Sequence, residues 1–185
     1  MYFRGYVVWL LMLGLFPALE LSTLQADEIF KLEGRNTEIG FVGTKKDEKH
    51  EGGFRMLKGT ITTTNSDPLS AQFKVDIDLK SMWTDNDKLT DHLKSPDFFH
   101  VNKYPIARFV STKVEKKGNQ YEVTGKLTMK GVTKDVVFPC HMEVSSPGIS
   151  LDASFEINRH DWQISFGGKV IDDKVKLTLK VNAPR

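Results

Sequence analysis

The sequence has little of what marks several large classes of protein. Its 185 residues contain one cysteine, Cys140, so the chain cannot form an internal disulfide. The 26 basic and 24 acidic side chains nearly cancel to a net charge of +2, which gives no argument for binding nucleic acid or an anionic membrane surface. Neither a Gly-x-Ser-x-Gly motif nor a phosphate-binding glycine loop is present. These absences argue against a disulfide scaffold, a nucleic-acid binder and a serine hydrolase.

Histidines are few and poorly spaced for chemistry. They never stand in a His-x-x-x-His pair, and the lone cysteine excludes a Cys-x-x-Cys site, so we predict no metal site, no cofactor and no catalytic residues. Cys140 alternates with two apolar residues and is interpreted as a small buried hydrophobe. The histidines are His50, His92, His100, His141 and His160.

One long apolar run occurs, at residues 7–19. It covers about 13 residues, whereas a helix needs about 20 to span a membrane. Arg4 precedes the run and the small residue Ala26 follows it, a pattern typical of a secretory signal peptide. We therefore predict a signal peptide over residues 1–26 and one mature domain over residues 27–185, exported to the periplasm or secreted. A retained membrane anchor is the alternative.

After this run, apolar and polar residues alternate with period two. The clearest case is residues 73–79, where the apolar residues fall on odd positions and charged residues between them. The same pattern recurs at residues 121–129, 151–157 and 175–181, and short segments with Gly, Pro or Asn separate the runs. The pattern predicts an all-β domain of about eight antiparallel strands.

Strands with one apolar face each favour closure into a barrel, because closure removes the exposed edges. One long interruption, residues 81–104, contains a predicted helix at about residues 85–94, with Asp85 or Asp87 as its N-cap. This helix would form a cover between the third and fourth strands. An eight-stranded interior is either filled by side chains or holds one small ligand, and both alternatives stay open at this level.

Several short motifs follow one another along the predicted mature domain. They are Gly43-Thr44-Lys45, His50-Glu51-Gly52-Gly53-Phe54, Asp91-His92-Leu93, Ser95-Pro96-Asp97-Phe98-Phe99, Tyr104-Pro105, Ala107-Arg108-Phe109-Val110-Ser111-Thr112, Tyr121-Glu122-Val123-Thr124-Gly125-Lys126-Leu127-Thr128, Gly131-Val132-Thr133-Lys134 and Arg159-His160-Asp161-Trp162. In this order they resemble the YceI-like family of exported lipocalin-like proteins. The resemblance implies an extended eight-stranded antiparallel barrel with a helical cover, an internal cavity for a polyisoprenoid tail or another amphiphile, and no catalytic machinery. His100 and the Arg55-Met56 pair depart from the family pattern, so the ligand of relatives does not carry over.

The resemblance and the strand parity together predict the residues that line the cavity. Large inward aromatic side chains can line a tunnel, and the alternative is that they simply fill the core. The predicted lining residues are Phe41, Phe73, Val75, Ile77, Trp83, Leu93, Phe98, Phe99, Phe109, Tyr121, Val123, Phe138, Met142, Phe155, Ile157 and Trp162.

Three polar residues are candidates for contact with a ligand head group. His50 lies in a glycine-rich segment. His92 is the second candidate, and the alternative is that it orders the end of the helix through hydrogen bonds. Arg159 points inward by strand parity, and a buried arginine needs a partner. It would therefore bind a polar head group or pair with a carboxylate such as Asp97 or Asp91.

We interpret the chain as a non-enzymatic protein that carries or sequesters a long-chain amphiphile, such as a polyprenyl quinone or polyprenyl phosphate. Release would require the cover to move. The alternative is a stress-related structural or interaction module with a filled barrel and no lipid, and an enzyme acting on a lipid would have to use His50, His92, His100 or Arg159. Expected partners are the lipid and, transiently, a membrane during ligand exchange, with a homodimer left open and no nucleic acid.

Overall fold

The computed structural model describes residues 26–46 and 48–185. Within these ranges the chain is β-structure with one α-helix, so the predicted all-β class is confirmed. The predicted signal peptide at residues 1–26 lies outside the described residues apart from Ala26, and it stays a prediction. No helix in the two described ranges has the length and apolar character needed to cross a membrane.

The strands belong to one sheet in which every pair of neighbours is antiparallel. The α-helix, α1, spans Asp87–Lys94, and three short 3₁₀ segments span Leu79–Ser81, Arg159–Trp162 and Gly168–Val170. The strands are β1 (Asp27–Glu33), β2 (Thr37–Lys45), β3 (Glu48–Phe54), β4 (Leu57–Thr64), β5 (Asp67–Asp78), β6 (Met82–Thr84), β7 (Ile106–Lys117), β8 (Gln120–Met129), β9 (Val132–Ser145), β10 (Gly148–Asn158) and β11 (Lys174–Pro184).

The predicted count of eight strands is wrong, because the sheet has 11 in the order β1-β4-β5-β7-β8-β9-β10-β11-β2-β3-β6. The pattern missed β1, β3 and β6. β6 has three residues, too few to show a period, and the Gly52-Gly53 pair interrupts the alternation of β3. In β1 the apolar Ile29 lies exposed beside the buried Phe30, so the two faces do not separate in the sequence.

The sheet curls into a half-barrel whose hydrogen-bonded edges are β1 and β6, so the predicted full closure is wrong as well. The β1 end of the sheet still reaches β11. Arg185, directly after β11, forms an ion pair with Glu28 of β1, and the Ser66 hydroxyl beside it also donates to Glu28 at 2.8 Å. Contacts outside the strand ladder therefore hold the curl on that side.

Helix α1 lies between β6 and β7, inside the long interruption where a helix was predicted. Its N-cap is Asn86 rather than either predicted aspartate, because the Asn86 side chain accepts from the N–H of Leu89 at 3.1 Å. Asp87 occupies the first turn, where its charge favours the positive end of the helix dipole. The helix ends at Lys94, and its C-cap Ser95 is extended because the following proline disfavours helical backbone there.

The concave side of the sheet is packed at one end and not at the other. Along β10, Ile149 and Leu151 are 2% exposed, whereas Phe155 and Ile157 on the same inward face are only half-buried. β11 repeats this gradient, with its buried inward residues at the Ala183 end and half-buried ones at the Lys174 end. An inward face that stays half-buried marks space which side chains of the sheet do not fill.

A substitution at Gly125 of β8 tests how tightly side chains pack at the packed end. A Cβ placed on it would meet the Phe109 ring at 2.4 Å and the carbonyl of Val110 at 2.7 Å. We expect Gly125→Ala to lower the free energy of unfolding by about 1–3 kcal/mol, because the ring has to leave its packed position. Urea denaturation measures the change. Gly43→Ala is the matched control, since no atom lies within 4 Å of its added Cβ, and equal losses in both variants would contradict the packing argument.

Cys140 lies on the inner face of β9 and is 1% exposed, which confirms the prediction of a small buried hydrophobe. Burial raises the pKa of its thiol to about 11. The thiol is therefore protonated at neutral pH and unreactive in the folded protein.

Candidate functional site

A cavity of about 260 Å³ lies at the unpacked end, between the concave side of the sheet and α1. Its walls come from strands that are distant in sequence, on both sides of the curl. Its lining is almost entirely apolar apart from the rim. The wall residues on the strands are Ile39, Phe41, Phe54, Ile77, Ala107, Leu127, Met129, Ile157, Val175 and Leu177.

The roof of the cavity is the cover, which we define as residues 86–104. Leu89 and Leu93 of α1 face the cavity, yet α1 has no fully buried residue. An amphipathic helix normally buries its apolar face against a core. Here that face lies over an unfilled space, where an apolar ligand could replace the missing core. Backbone hydrogen bonds order the turn after the helix, including Phe99 N–H to the carbonyl of Leu93 at 3.0 Å.

Three phenylalanines pack against one another between the lining residues of the cavity and the packed end, and we call this cluster the floor. The rings of Phe138 and Phe155 stack with centroids 4.6 Å apart, and those of Phe109 and Phe138 lie 5.8 Å apart. Such contacts add to the stabilisation from area burial. The cavity therefore occupies part of the interior and does not run through the half-barrel.

Among the described residues, polar groups line the cavity at its rim. The Nδ1–H of His50 donates to Asp85 Oδ1 at 3.0 Å, while the N–H of Glu51 donates to Asp85 Oδ2 at 3.0 Å. The backbone bond from Glu51 and the bond from His50 hold the pKa of the Asp85 carboxyl below its usual range. The carboxylate thereby orients the imidazole, whose Nε2 makes no hydrogen bond within the described ranges. His50 is thus a rim residue with one ring nitrogen for a ligand.

Arg159 is 4% exposed, and backbone carbonyls occupy its whole guanidinium. Nε donates to the carbonyl of Asp172 at 3.0 Å, and the two terminal nitrogens donate to four more carbonyls at 2.7–3.1 Å. The nearest carboxylate is Asp173 at 3.8 Å, so the predicted carboxylate partners, Asp97 and Asp91, are wrong. A guanidinium has five N–H donors, and all are used here. The four other acceptors are the carbonyls of Ile164, Phe166, Gly168 and Ile171.

His92 supports the cover from outside the cavity. Its Nε2 lies 3.0 Å from Asp97 Oδ2, and its ring meets the edges of Phe98 and Phe166 with centroids 5.0 Å and 4.8 Å apart. These contacts fit the alternative role, in which His92 orders the helix end through hydrogen bonds. It does not line the cavity.

Residues 30–183 match the family model described as the YceI-like domain. The chain belongs to the YceI-like family. A UPF0312 protein of Photorhabdus laumondii is 37% identical to it over 107 residues, which are 57% of this chain and 56% of that relative. The YceI-like chain spans about half the length of the curated relatives it matches.

Solved structures share the YceI-like fold over a longer stretch. BcnA from Burkholderia cenocepacia superposes with a TM-score of 0.72 at 23% identity, covering 78% of this chain and 94% of that one. A polyisoprenoid binding domain from Saccharophagus degradans superposes with a TM-score of 0.65 at 16% identity, covering 84% and 97%. At these identities the likeness shows the fold alone.

The YceI-like cavity brings together some of the predicted lining residues and leaves others outside. Those on its wall are Phe41, Ile77, Leu93, Phe98, Phe99 and Ile157, with His50 and Arg159 at its edge. Trp83 is 37% exposed on the outer side of the sheet, where the Arg55 guanidinium carbon lies over the indole, 5.4 Å from the ring centroid. Trp162 is buried and donates to the carbonyl of Leu127 at 3.0 Å. The remaining predicted residues belong to the floor or to the packed end and do not line the cavity. They are Phe73, Val75, Phe109, Tyr121, Val123, Phe138, Met142 and Phe155.

Sequence reasoning missed wall residues that share the inward parity of those it found. Leu177 and Val175 lie on β11 directly beside Phe155 and Ile157 of β10, and Leu89 precedes the predicted Leu93 by one helical turn. Strand parity was the available signal for β11, and helical spacing was the signal for α1. Neither signal tells which end of a strand meets the cavity.

Two larger volumes, about 650 Å³ and 590 Å³, are open grooves on the outer face of the sheet. Their walls include charged residues such as Asp152 and Lys180 in one groove and Lys58 and Asp76 in the other. Such grooves leave an apolar chain in contact with water. The smaller, less open and more apolar cavity under α1 is therefore the better candidate site for an apolar ligand.

Proposed function

We propose that this YceI-like protein is an exported, non-enzymatic carrier that holds the tail of a polyisoprenoid or similar amphiphile under α1. One observation carries the proposal: the apolar inner face of the half-barrel stays half-buried at one end and is roofed by a helix with no buried residue. The Saccharophagus degradans neighbour, described as a polyisoprenoid binding domain, supports this use of the fold. Family membership and this neighbour favour a binding protein over an enzyme.

The size of the cavity limits what it holds in this conformation. A volume of about 260 Å³ lies just below the range of ligand pockets, which span about 300–1,000 Å³. Each buried CH2 contributes about 0.8 kcal/mol, so a five-carbon prenyl unit contributes about 3–4 kcal/mol before ordering costs. A few units would therefore bind well, and a longer tail would require the cover to lift or the floor to shift.

His50 is the head-group contact that the geometry favours among the three candidates. Arg159 has no donor left for a ligand, and His92 is turned towards Asp97 outside the cavity. With Nδ1–H bonded to Asp85, a neutral His50 presents Nε2 as an acceptor for a hydroxyl head group. A protonated His50 would instead donate to a quinone carbonyl or a phosphate oxygen.

The bonds of Asp85 join β3 to the start of the cover, so they act as a latch. We expect Asp85→Asn to speed release of bound lipid roughly threefold to tenfold, because a neutral amide holds His50 and Glu51 more weakly. Transfer of lipid to excess vesicles, followed by mass spectrometry, gives the rate. Asp91→Asn removes an exposed carboxylate from α1 and serves as the control. Equal release rates in both variants would place the gate elsewhere.

The lowered pKa of the Asp85 carboxyl predicts that the rate of lipid release depends on pH. Its folded-state pKa is depressed below the ordinary value of 3.8, so ionised Asp85 favours the closed cover above that pH. The contribution falls away as the pH drops through the lowered folded-state pKa. Faster release should therefore appear in strong acid and not near neutrality.

The carrier proposal is tested by native mass spectrometry of the chain purified from its export compartment without detergent. We expect a reproducible extra mass that organic solvent releases and that fragments as a polyprenyl compound. A clean apo mass, together with no uptake of added polyprenyl lipid, would refute the carrier. That result would favour the second candidate, an interaction module with a filled interior. The phenylalanine floor, which fills part of the interior without a ligand, is the observation behind it.

A further inference from the structure

We propose that the tip of the protein beside the cavity mouth docks on a lipid bilayer, so that a ligand passes between bilayer and cavity without crossing water. The tip consists of the loop at residues 163–173 together with Lys45 and Lys46 at the end of β2. Its purpose rests on the proposed function. The docking surface itself is a separate observation and can be tested without any ligand.

The loop exposes apolar side chains at its apex. Phe166 and Val170 are each 44% exposed, although Ile164 of the same loop is buried. Gly167, Gly168 and Lys169 separate the two exposed residues in the chain, and the two glycines carry no side chain that could cover them. Exposed apolar side chains that cluster on one feature mark an interaction site more often than isolated ones do.

The apex is held in this shape before any partner arrives. The Arg159 guanidinium binds carbonyls along the loop, from Ile164 to Asp172. Because these carbonyls turn inward to the arginine, the loop retains its curl while Phe166 and Val170 stay at the surface. A preformed apolar apex pays little ordering entropy when it inserts into a lipid surface.

The apex is also joined to both sides of the cavity mouth. The N–H of Lys46 donates to the carbonyl of Val170 at 3.2 Å, and the N–H of Asp172 donates to the carbonyl of Thr44, a rim residue, at 2.9 Å. On the other side, the Phe166 ring lies 5.2 Å from that of Phe98, which belongs to the cover. If Phe166 inserts into a bilayer, its ring leaves Phe98, and a contact that holds the cover closed is lost.

The chemistry of the tip favours a bilayer over a protein partner. Lys45, Lys46 and Lys169 are exposed around the apolar apex, and long lysine side chains reach lipid phosphates while apolar neighbours enter the acyl boundary. The exposed carboxylates Glu48, Asp172 and Asp173 equal these three lysines in number, so charge alone does not draw the tip to an anionic surface. Apolar insertion should therefore dominate, with little gain from anionic lipid and a weak dependence on salt.

Vesicle flotation of the purified protein tests the docking surface. The protein is either purified without ligand or freed of ligand by solvent extraction and then refolded. The probe is a vesicle of phosphatidylcholine with about a quarter phosphatidylglycerol. We expect the Phe166→Ser/Val170→Ser double variant to partition at least about tenfold less than the original protein. Val170→Asp alone should have a similar effect, and this variant leaves the Phe166 contact with the cover in place. Ile29→Ser/Val137→Ser is the matched control, because it removes two apolar residues elsewhere that are even more exposed, at 58% and 53%.

The outcomes separate the docking surface from the carrier role. Loss of flotation in both tip variants with retention in the control would support docking. The docking proposal would be overturned if the unsubstituted protein did not float, or if the tip variants floated as well as the control. Either result would count even if the protein carries a lipid. Protein that floats through the tip but never shows a bound polyprenyl mass would keep the docking surface and refute the carrier.

Discussion

Replacing Arg159 with methionine should lower the free energy of unfolding by about 3–5 kcal/mol, the largest stability loss that we expect from a single substitution in this chain. Methionine fills similar space but donates no hydrogen bond. The carbonyls of Ile164 and Phe166, among others, would then lose their partners inside a buried site. Thermal unfolding should show a midpoint lower by roughly 10 °C for a domain of this size.

Two further variants make the Arg159 prediction specific. Arg159→Lys should recover little stability, because one ammonium group cannot reach five carbonyls arranged around a planar fork. Arg35→Met is the matched control, since it removes an arginine that is 81% exposed and makes one contact of 2.9 Å with Glu33, and it should leave the midpoint nearly unchanged. If Arg159→Met kept the original midpoint but lost bound lipid, Arg159 would be a head-group contact and our structural assignment would be wrong.

Leu177→Trp should abolish most of the bound lipid while the protein stays folded. Leu177 is half-buried on the wall of the cavity, opposite Phe155 on β10 and Phe41 on β2. An indole at this position enters space that the tail would occupy, so we expect occupancy to fall at least about tenfold. Because the wall faces a void, the larger side chain should cost less than overpacking a filled core. Native mass spectrometry and the thermal midpoint measure the two effects.

The neighbouring residue offers a matched control for the cavity prediction. Lys176→Trp places the same indole on the outer face of β11, one position away, and should leave lipid occupancy unchanged. Ala107→Phe fills the cavity from the opposite wall and should repeat the loss seen with Leu177→Trp. Full occupancy in both filling variants, with normal unfolding midpoints, would show that the tail does not lie under α1.

The strands that the sequence indicated most clearly are those whose two faces differ throughout their length. β5, β8, β10 and β11 follow the period-two pattern closely, and their inward residues are the ones that the alternation indicated. β3 was not predicted because Gly52 has no side chain, so the sequence does not indicate which face of the strand points inward. The structure gives the reason for that glycine, since an added Cβ would lie 2.5 Å from the Phe41 ring.

The candidate site was predictable only in part. Parity placed Phe41 and Ile157 on the inner face, and it placed Phe138 and Phe155 there equally well. The first pair lines the cavity and the second pair forms its floor. The difference lies in how far each residue is from the cover, which depends on the curl of the whole sheet.

Arg159 shows the same division between local and distant information. Its inward direction followed from the alternation of β10, and the need for a partner followed from burial. The partner was not the expected carboxylate, because the loop at residues 163–173 curls back and presents five carbonyls at hydrogen-bond distance. No spacing in the sequence encodes that return.

The sequence by itself determined the antiparallel β-class, the inward face of each clear strand, the position of the helix and the resemblance to the YceI-like family. These depend on side-chain order over a few neighbouring residues, where sterics and hydrophobic burial act locally. Only the tertiary structure decided that 11 strands form an open half-barrel, that one end of its interior is filled, and that Arg159 is saturated by carbonyls. A void and its roof are sums over residues far apart in the chain, so they exist only after the sheet has curled.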